Sequence, residues 1–280
     1  MAGSLDTSSP LEPEVARARR PKWIALMLLG FLVHERPLAL STGTFIELLS
    51  RLDVSSHAAR STLTRMTDRG LLERHRQGRE TYYALTPHGS RALREGNALA
   101  WHSADAERNG TWTVLAYSIP EERRALRLRL RSRLAWGGFG MLRSGLWIAP
   151  GCVDVTGLLD GMGVLDDVRV FFSTPAPLTK TTDLIEEAYD LDEIGDRYLR
   201  YITRWSGDPL AGLPDELCAF LVLRSEWQQL VQADPRLPSE YLPAGWPAAD
   251  AEKLFRGLYE RLETPARRIV KEFAGLVSLK

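Results

Sequence analysis

A helical segment from Ser55 to about Arg69 ends at Gly70, and two β-rich runs follow at once, Leu71–Arg76 and Arg79–Leu85, hinged on Gln77-Gly78. Glycine just past a periodic segment closes a helix in the left-handed conformation. A small, flexible dipeptide between two β-rich runs marks a hairpin. Upstream, Pro21 opens a helix running to about His34, because proline suits the first helical position. Pro37 breaks the chain, and Leu38-Ala39-Leu40 reads as a short strand. Ser41 or Thr42 caps a second helix through Ser50, with Phe45, Ile46, Leu48 and Leu49 apolar. Leu52-Asp53-Val54 is then the turn into the third helix, which Ser55 caps. Thr86-Pro87, a cap followed by a first-turn proline, opens a fourth helix. Helix, helix, turn, helix and hairpin in this order predict a winged helix-turn-helix over residues 21–97, whose third helix enters the major groove of DNA.

The third helix carries a testable periodicity. At about 100° per residue, Ala59, Leu63 and Met66 share one face with Thr62 beside them, while His57, Ser61, Thr64 and Asp68 lie opposite, flanked by Arg60 and Arg65. Ser56, at the helix start, joins the outer set. Short hydroxyls, an imidazole and guanidinium groups suit base edges and phosphates. Arg74, Arg76 and Arg79 surround the hairpin tip, and Glu73 and Glu80 are read as lying further from it. The candidate DNA-binding residues are therefore Ser56, His57, Arg60, Ser61, Thr64, Arg65, Arg74, Arg76 and Arg79. Charge along the chain agrees. The formal net charge is zero, yet Arg17 to Glu95 holds 14 Lys/Arg against 7 Asp/Glu, and Lys180 to Lys280 holds 13 against 18. A basic N-terminal third on an acidic remainder points to one module meeting a polyanion.

Beyond residue 110, Trp112–Ser118 is β-rich and stops before Pro120. Glu121–Trp136 is a helix with acids at its positive end and an apolar stripe of Leu126, Leu130 and Leu134. Phe139–Leu142 and Leu146–Ala149 read as short strands, Val153–Met162 as a short helix and Asp167–Ser173 as a last strand. The β-α-β-β-α-β order over residues 110–175 predicts a ferredoxin-like domain. Pro175-Ala176-Pro177 is a linker into a C-terminal helical domain, residues 180–280, with helices at about Thr182–Trp205, Pro214–Gln232 and Ala248–Phe273. The expected fold class is α+β.

Residues 1–20, rich in Ser, Pro, Ala and charge, read as a disordered arm whose Arg17-Ala18-Arg19-Arg20 is placed to touch phosphate. The apolar run Trp23–Val33 follows basic residues as a signal peptide's would, but it lacks a small-residue cleavage site and falls short of the ~20 residues that span a bilayer. A buried helix in a cytoplasmic protein, with no membrane partner, is the reading. Cys152 and Cys218, the only cysteines, form neither a disulfide framework nor a metal-ligand spacing, in keeping with a reducing compartment. The five histidines, His34, His57, His75, His88 and His102, show no ligand spacing. Cys152 has no evident base, and Gly161-Met162-Gly163 is a turn rather than a nucleotide loop. No catalytic residue, metal site or resident cofactor is expected.

Several stretches resemble the PaaX-type regulators, repressors of phenylacetate catabolism and their relatives. They are Ala59–Met66 with Gly70-Leu71-Leu72, Thr81–Gly89, Ser118-Ile119-Pro120-Glu121, Gly138-Phe139-Gly140 and Gly145–Pro150. Glu226-Trp227, Asp234–Pro238, Leu242-Pro243 and Trp246-Pro247 continue the likeness to the C-terminal part. The resemblance implies a homodimer on palindromic double-stranded operator DNA, released by an aryl-acyl-CoA effector such as phenylacetyl-CoA. A CoA site needs cations for phosphates and an apolar slot for the acyl group, for which Arg127, Arg131, Arg143 and Trp147 are the candidates. A regulator with another effector or none, or an activator, is the alternative. The middle domain also resembles the ferredoxin-like nucleases of CRISPR adaptation, whose metal-binding Asp follows a Tyr. Here Ser118 follows Tyr117 and supplies no carboxylate, which counts against a metal-dependent nuclease.

Overall fold

The computed structural model describes residues 21–32, 38–101, 110–272 and 276–278. The expected arm over residues 1–20, the helix end at His34, the break at Pro37 and His102 lie outside the described residues. The described residues form helices and two antiparallel four-stranded sheets, so the α+β class holds. The chain divides into two compact units. The first takes in the described residues up to Trp101, Arg200–Gln229 and the described residues from Ala249 onward; the second takes in residues 110–199 and Leu230–Ala248.

In the first unit, α1 (Pro21–Leu32) buries Ile24, Ala25, Met27, Leu28, Leu29, Phe31 and Leu32. A helix this apolar on most sides belongs inside a core, as the sequence reading of Trp23–Val33 has it. β1 (Leu38–Ser41) leads into α2 (Thr42–Ser50) and α3 (Ser56–Asp68). Of the two candidate caps of α2, Ser41 does the work: its hydroxyl accepts from Thr44 N at 3.1 Å. β2 (Leu72–Gln77) and β3 (Glu80–Leu85) form the hairpin, and α4 (Pro87–Trp101) follows. The strand order is β2-β3-β1-β8, where β8 (Leu276–Ser278) pairs Val277 with Ala39. Nothing in the sequence reading anticipates β8.

In the second unit, β4 (Trp112–Tyr117), α5 (Arg124–Trp136), β5 (Gly140–Arg143), β6 (Leu146–Pro150), α6 (Thr156–Leu159) and β7 (Val168–Ser173) build a sheet of order β5-β6-β4-β7. One face buries Leu115, Trp147 and Val168 with Leu130 and Leu134 of α5; the other buries Trp112 and Ile148 with Ile185 of α7 (Thr181–Ala188). The remaining helices are α8 (Leu191–Trp205), α9 (Glu216–Ala233) and α10 (Ala248–Lys271), most of the last two belonging to the first unit. The single helix expected over Thr182–Trp205 is two, α7 and α8, separated at Tyr189 and Asp190. Tyr189 adopts an extended backbone while its hydroxyl donates to Gly138 O at 3.1 Å and Ile148 O at 2.9 Å. Asp190 then caps α8, its Oδ1 accepting from Glu193 N at 2.9 Å. Gly140 permits this approach, since a Cβ there would lie 2.5 Å from Ala188 O. The helix expected over Val153–Met162 shortens to the single turn of α6.

Candidate nucleic-acid interface

α3 begins where Ser55 Oγ accepts from Ala58 N at 3.2 Å. Its inner face buries Ala59, Thr62, Leu63 and Met66, as the periodicity predicts. Ser56, His57, Arg60, Thr64 and Arg65 are exposed and Ser61 is half-buried. Arg65 reaches back to Thr62 Oγ1 at 3.4 Å. α3 packs against β2 of the hairpin. The hairpin closes on the two-residue loop Gly78-Arg79, with Gln77 opposite Glu80 and Gly78 at φ +62°. Arg74, Arg76 and Arg79 are all exposed. Arg74 lies over the Tyr83 ring at 6.0 Å. Among the described residues, Arg76 and Arg79 have no ion-pair or hydrogen-bond partner. Both hairpin acids are engaged by neighbours: Glu73 meets His75 Nε2 at 3.1 Å, and Glu80 accepts from the Tyr82 hydroxyl at 2.6 Å. That hydrogen bond is the main reason the Tyr82 phenol's pKa is raised.

One cluster fixes the hairpin's base, and sequence reasoning saw only half of it. The Thr86 hydroxyl donates to Gly70 O at 2.5 Å and accepts from Gly89 N at 2.9 Å, while Thr86 N donates to Leu71 O at 3.1 Å. The exit of α3, the exit of β3 and the start of α4 thus meet at one residue. Gly89 is required there: a Cβ would stand 2.1 Å from Leu71 O. A second missed pair is Arg51, at the end of α2, with Asp215, just ahead of α9. The Pro214-Asp215 sequence was its local signal, an acidic cap before an apolar run.

The four effector candidates each have their own partners among the described residues. Trp147 belongs to the core beneath α5, and its buried indole N–H has no hydrogen-bond partner among the described residues. Arg127 pairs with Glu121 at 2.5 Å. Arg143 pairs with Glu187 and donates to Leu142 O at 2.9 Å. Arg131 Nε donates to the Tyr117 hydroxyl at 3.0 Å, and its Nη2 reaches Ser144 Oγ at 3.4 Å. Cys152 is exposed and Cys218 buried. Among the described residues, no group of three His, Cys, Asp or Glu side chains is placed to hold a metal, and no helix is long and apolar enough to cross a membrane.

Three family models match in succession. A model described as PaaX-like protein covers residues 20–89, one described as PaaX protein central Cas2-like domain covers 105–185, and one described as PaaX-like protein C-terminal domain covers 189–272. The chain belongs to the PaaX family of regulators. It is 29% identical over 246 residues to the transcriptional repressor PaaX of Escherichia coli (strain K12), an alignment spanning 82% of this chain and 76% of that one. Its fold is similar to that of an uncharacterized protein from Mycobacterium tuberculosis, with a TM-score of 0.51 and 24% identity over 81% of this chain and 89% of the other.

Proposed function

We propose that this chain is a transcriptional repressor, not an enzyme, and that it reads duplex DNA through a winged helix-turn-helix. In this reading α3 lies in the major groove and the β2–β3 loop lies against the backbone or minor groove. The observation that carries it is a set of exposed cations and short polar groups on α3 and the adjoining hairpin. Arg60 and Arg65 stand on α3, Arg76 and Arg79 stand unpartnered at the hairpin tip, and the buried face of α3 is apolar apart from Thr62. The likeness to a named repressor over most of the chain supports the same reading. The β5-β6-β4-β7 order of the second sheet supports reading that unit as a ferredoxin-like domain.

The finer reading is a cytoplasmic homodimer on a palindromic operator of a phenylacetate or related aromatic-acid operon, released by an aryl-acyl-CoA thioester. Arg131, steadied by Tyr117 and Ser144, is the better-placed phosphate contact of the four effector candidates. Trp147 serves the core, and Arg143 is held by Glu187. Selection of genome fragments by the purified protein, with and without phenylacetyl-CoA, tests both levels. A palindrome near aromatic-acid genes that the thioester releases supports the whole reading. A palindrome unmoved by the thioester keeps the DNA reader and removes this effector. Recovery of no sequence sinks the DNA reading.

A further inference from the structure

The turn between α2 and α3 is held from outside the DNA-reading elements. Asp215 Oδ1 accepts from Cys218 N at 2.9 Å and so caps α9. Its other oxygen, Oδ2, forms an ion pair with Arg51 Nη2. The Asp215 side chain is only 11% exposed and that of Arg51 31%. Cys218 Sγ also lies 3.9 Å from Arg51 O, so the first turn of α9 meets both the side chain and the backbone of the residue that ends α2. From Arg51 the chain reverses within a few residues: Leu52 N and Val54 N donate to Leu49 O at 3.0 and 3.2 Å, and Asp53 sits at φ +60°. Non-glycine residues visit that region at a cost. A cavity of about 280 Å³ lies beside the turn, lined by Arg51, Leu52, Asp53, Gly212, Leu213 and Pro214. Leu49, Leu52 and Val54 pack the turn into the core from one side, and the Arg51–Asp215 pair ties its other side to the start of α9.

We propose that Asp215 is a positioning residue for base readout: through Arg51 it sets the angle at which α3 leaves α2, and hence which base edges the outer face of α3 meets. This rests on the DNA-binding reading above. Neither residue belongs to the set assigned to DNA. The pair acts on the docking angle, to which base hydrogen bonds are sensitive and non-specific phosphate attraction much less so.

The full-length protein is first used to select its own DNA site. Affinity for that site and for a random duplex of equal length is then measured across a salt series. Asp215→Asn keeps a capping oxygen for Cys218 N but loses the charge that holds Arg51. Its affinity for the selected site is expected to fall by about 3- to 30-fold, the range seen when a residue touching neither site alters coupling. Affinity for random DNA and the salt slope stay as in the wild type. Arg51→Gln should do the same, the double variant should be no worse than either single one, and Asp215→Glu should recover part of the loss. If the melting curve shows that Asp215→Asn does not fold, Arg51→Gln carries the test from the more exposed side. Full site preference in both single variants overturns the proposal. So does equal loss on both DNAs. A gain on all DNA with a salt slope steeper by about one would mean that the freed Arg51 merely reaches a phosphate, which also overturns it. If the wild type selects nothing, the DNA reading itself has failed and the positioning role falls with it.

Discussion

Arg76 and Arg60 belong to the same candidate surface but are set for different tasks. Arg76 stands exposed at the hairpin tip with no partner among the described residues, where a backbone phosphate is the natural target. Arg76→Ala should weaken binding to every duplex alike and lower the salt slope by about 0.9, as expected for one lost phosphate contact; titrations at several salt concentrations read both. Arg60 projects from the outer face of α3. Arg60→Ala should cost about 1–3 kcal/mol at a single base position if the guanidinium reads a guanine, and equal losses on selected and random DNA would reassign it to phosphate. Gly89 is a third case. A Cβ at this site meets a backbone carbonyl 2.1 Å away, an obstacle that cannot swing aside as a side chain would. Gly89→Ala should therefore lower stability by about 2–3 kcal/mol in urea unfolding, within the range for strained or overpacked sites. The sequence showed Thr86-Pro87 as a helix start because capping is local. It did not show why Gly89 must be glycine, because the obstacle, Leu71 O, is brought there only by the hairpin. The same gap applies to Arg143 and Trp147: the sequence did not show that Arg143 pairs with Glu187 or that Trp147 packs in the core beneath α5, because both partners are brought there only by the fold.

Elements with strong local signals were legible almost to the residue. The α3 stripe, the Gly70 stop, the hairpin, whose loop falls one residue later than expected at Gly78-Arg79, and the four strands of the second sheet all depend on periodicity or on turn chemistry that neighbours alone decide. The split between α7 and α8 depends on more. The helical pattern runs through Tyr189 without a break, and the helix stops because the Tyr189 hydroxyl is drawn to two carbonyls of the β-sheet region. Asp190 and Glu193 did carry the sequence of a capping box, which was the available clue. β8 had none, since three residues show no periodicity. It pairs along β1, and Val277 packs against Ala39, Tyr82 and Ala84. Removing residues 276–280 strips that pairing and leaves β1 as the sheet's edge. The expected result is a loss of roughly 1–3 kcal/mol, about the burial of one aliphatic side chain plus its strand contacts, and greater aggregation through the exposed edge. Thermal melting and light scattering check both, and an unchanged melting temperature would show that β8 adds nothing to the sheet.

At the level of the whole molecule, a net charge of zero conceals a basic reading module and an acidic remainder. On the DNA-binding reading, most of the long-range attraction to DNA then comes from that module, and the rest of the chain is free to carry a regulatory signal. If phenylacetyl-CoA is that signal, thermodynamics constrains how it acts. A thioester that releases operator DNA must bind the free protein more tightly than the DNA-bound protein, and the operator must weaken thioester binding by the same factor. Two measurements follow from one ligand. Phenylacetyl-CoA should raise the melting temperature of the free protein with concentration, by the equivalent of about 2.7 kcal/mol at a hundredfold excess over Kd. Calorimetric titration in the presence of saturating operator should show the affinity reduced as much as the thioester reduces operator binding. Arg131→Ala is the informative variant, because its side chain is half-buried beside Tyr117 and Ser144 and outside the core. It should diminish the ligand-induced shift while leaving the unliganded melting point nearly in place. Trp147→Ala would instead unfold the unit by opening a cavity worth about 3–5 kcal/mol, and its loss of response would say nothing about the ligand. A free-protein melting point that no CoA thioester moves would remove the sensing role and leave the DNA reader as it stands, because the two rest on separate residues.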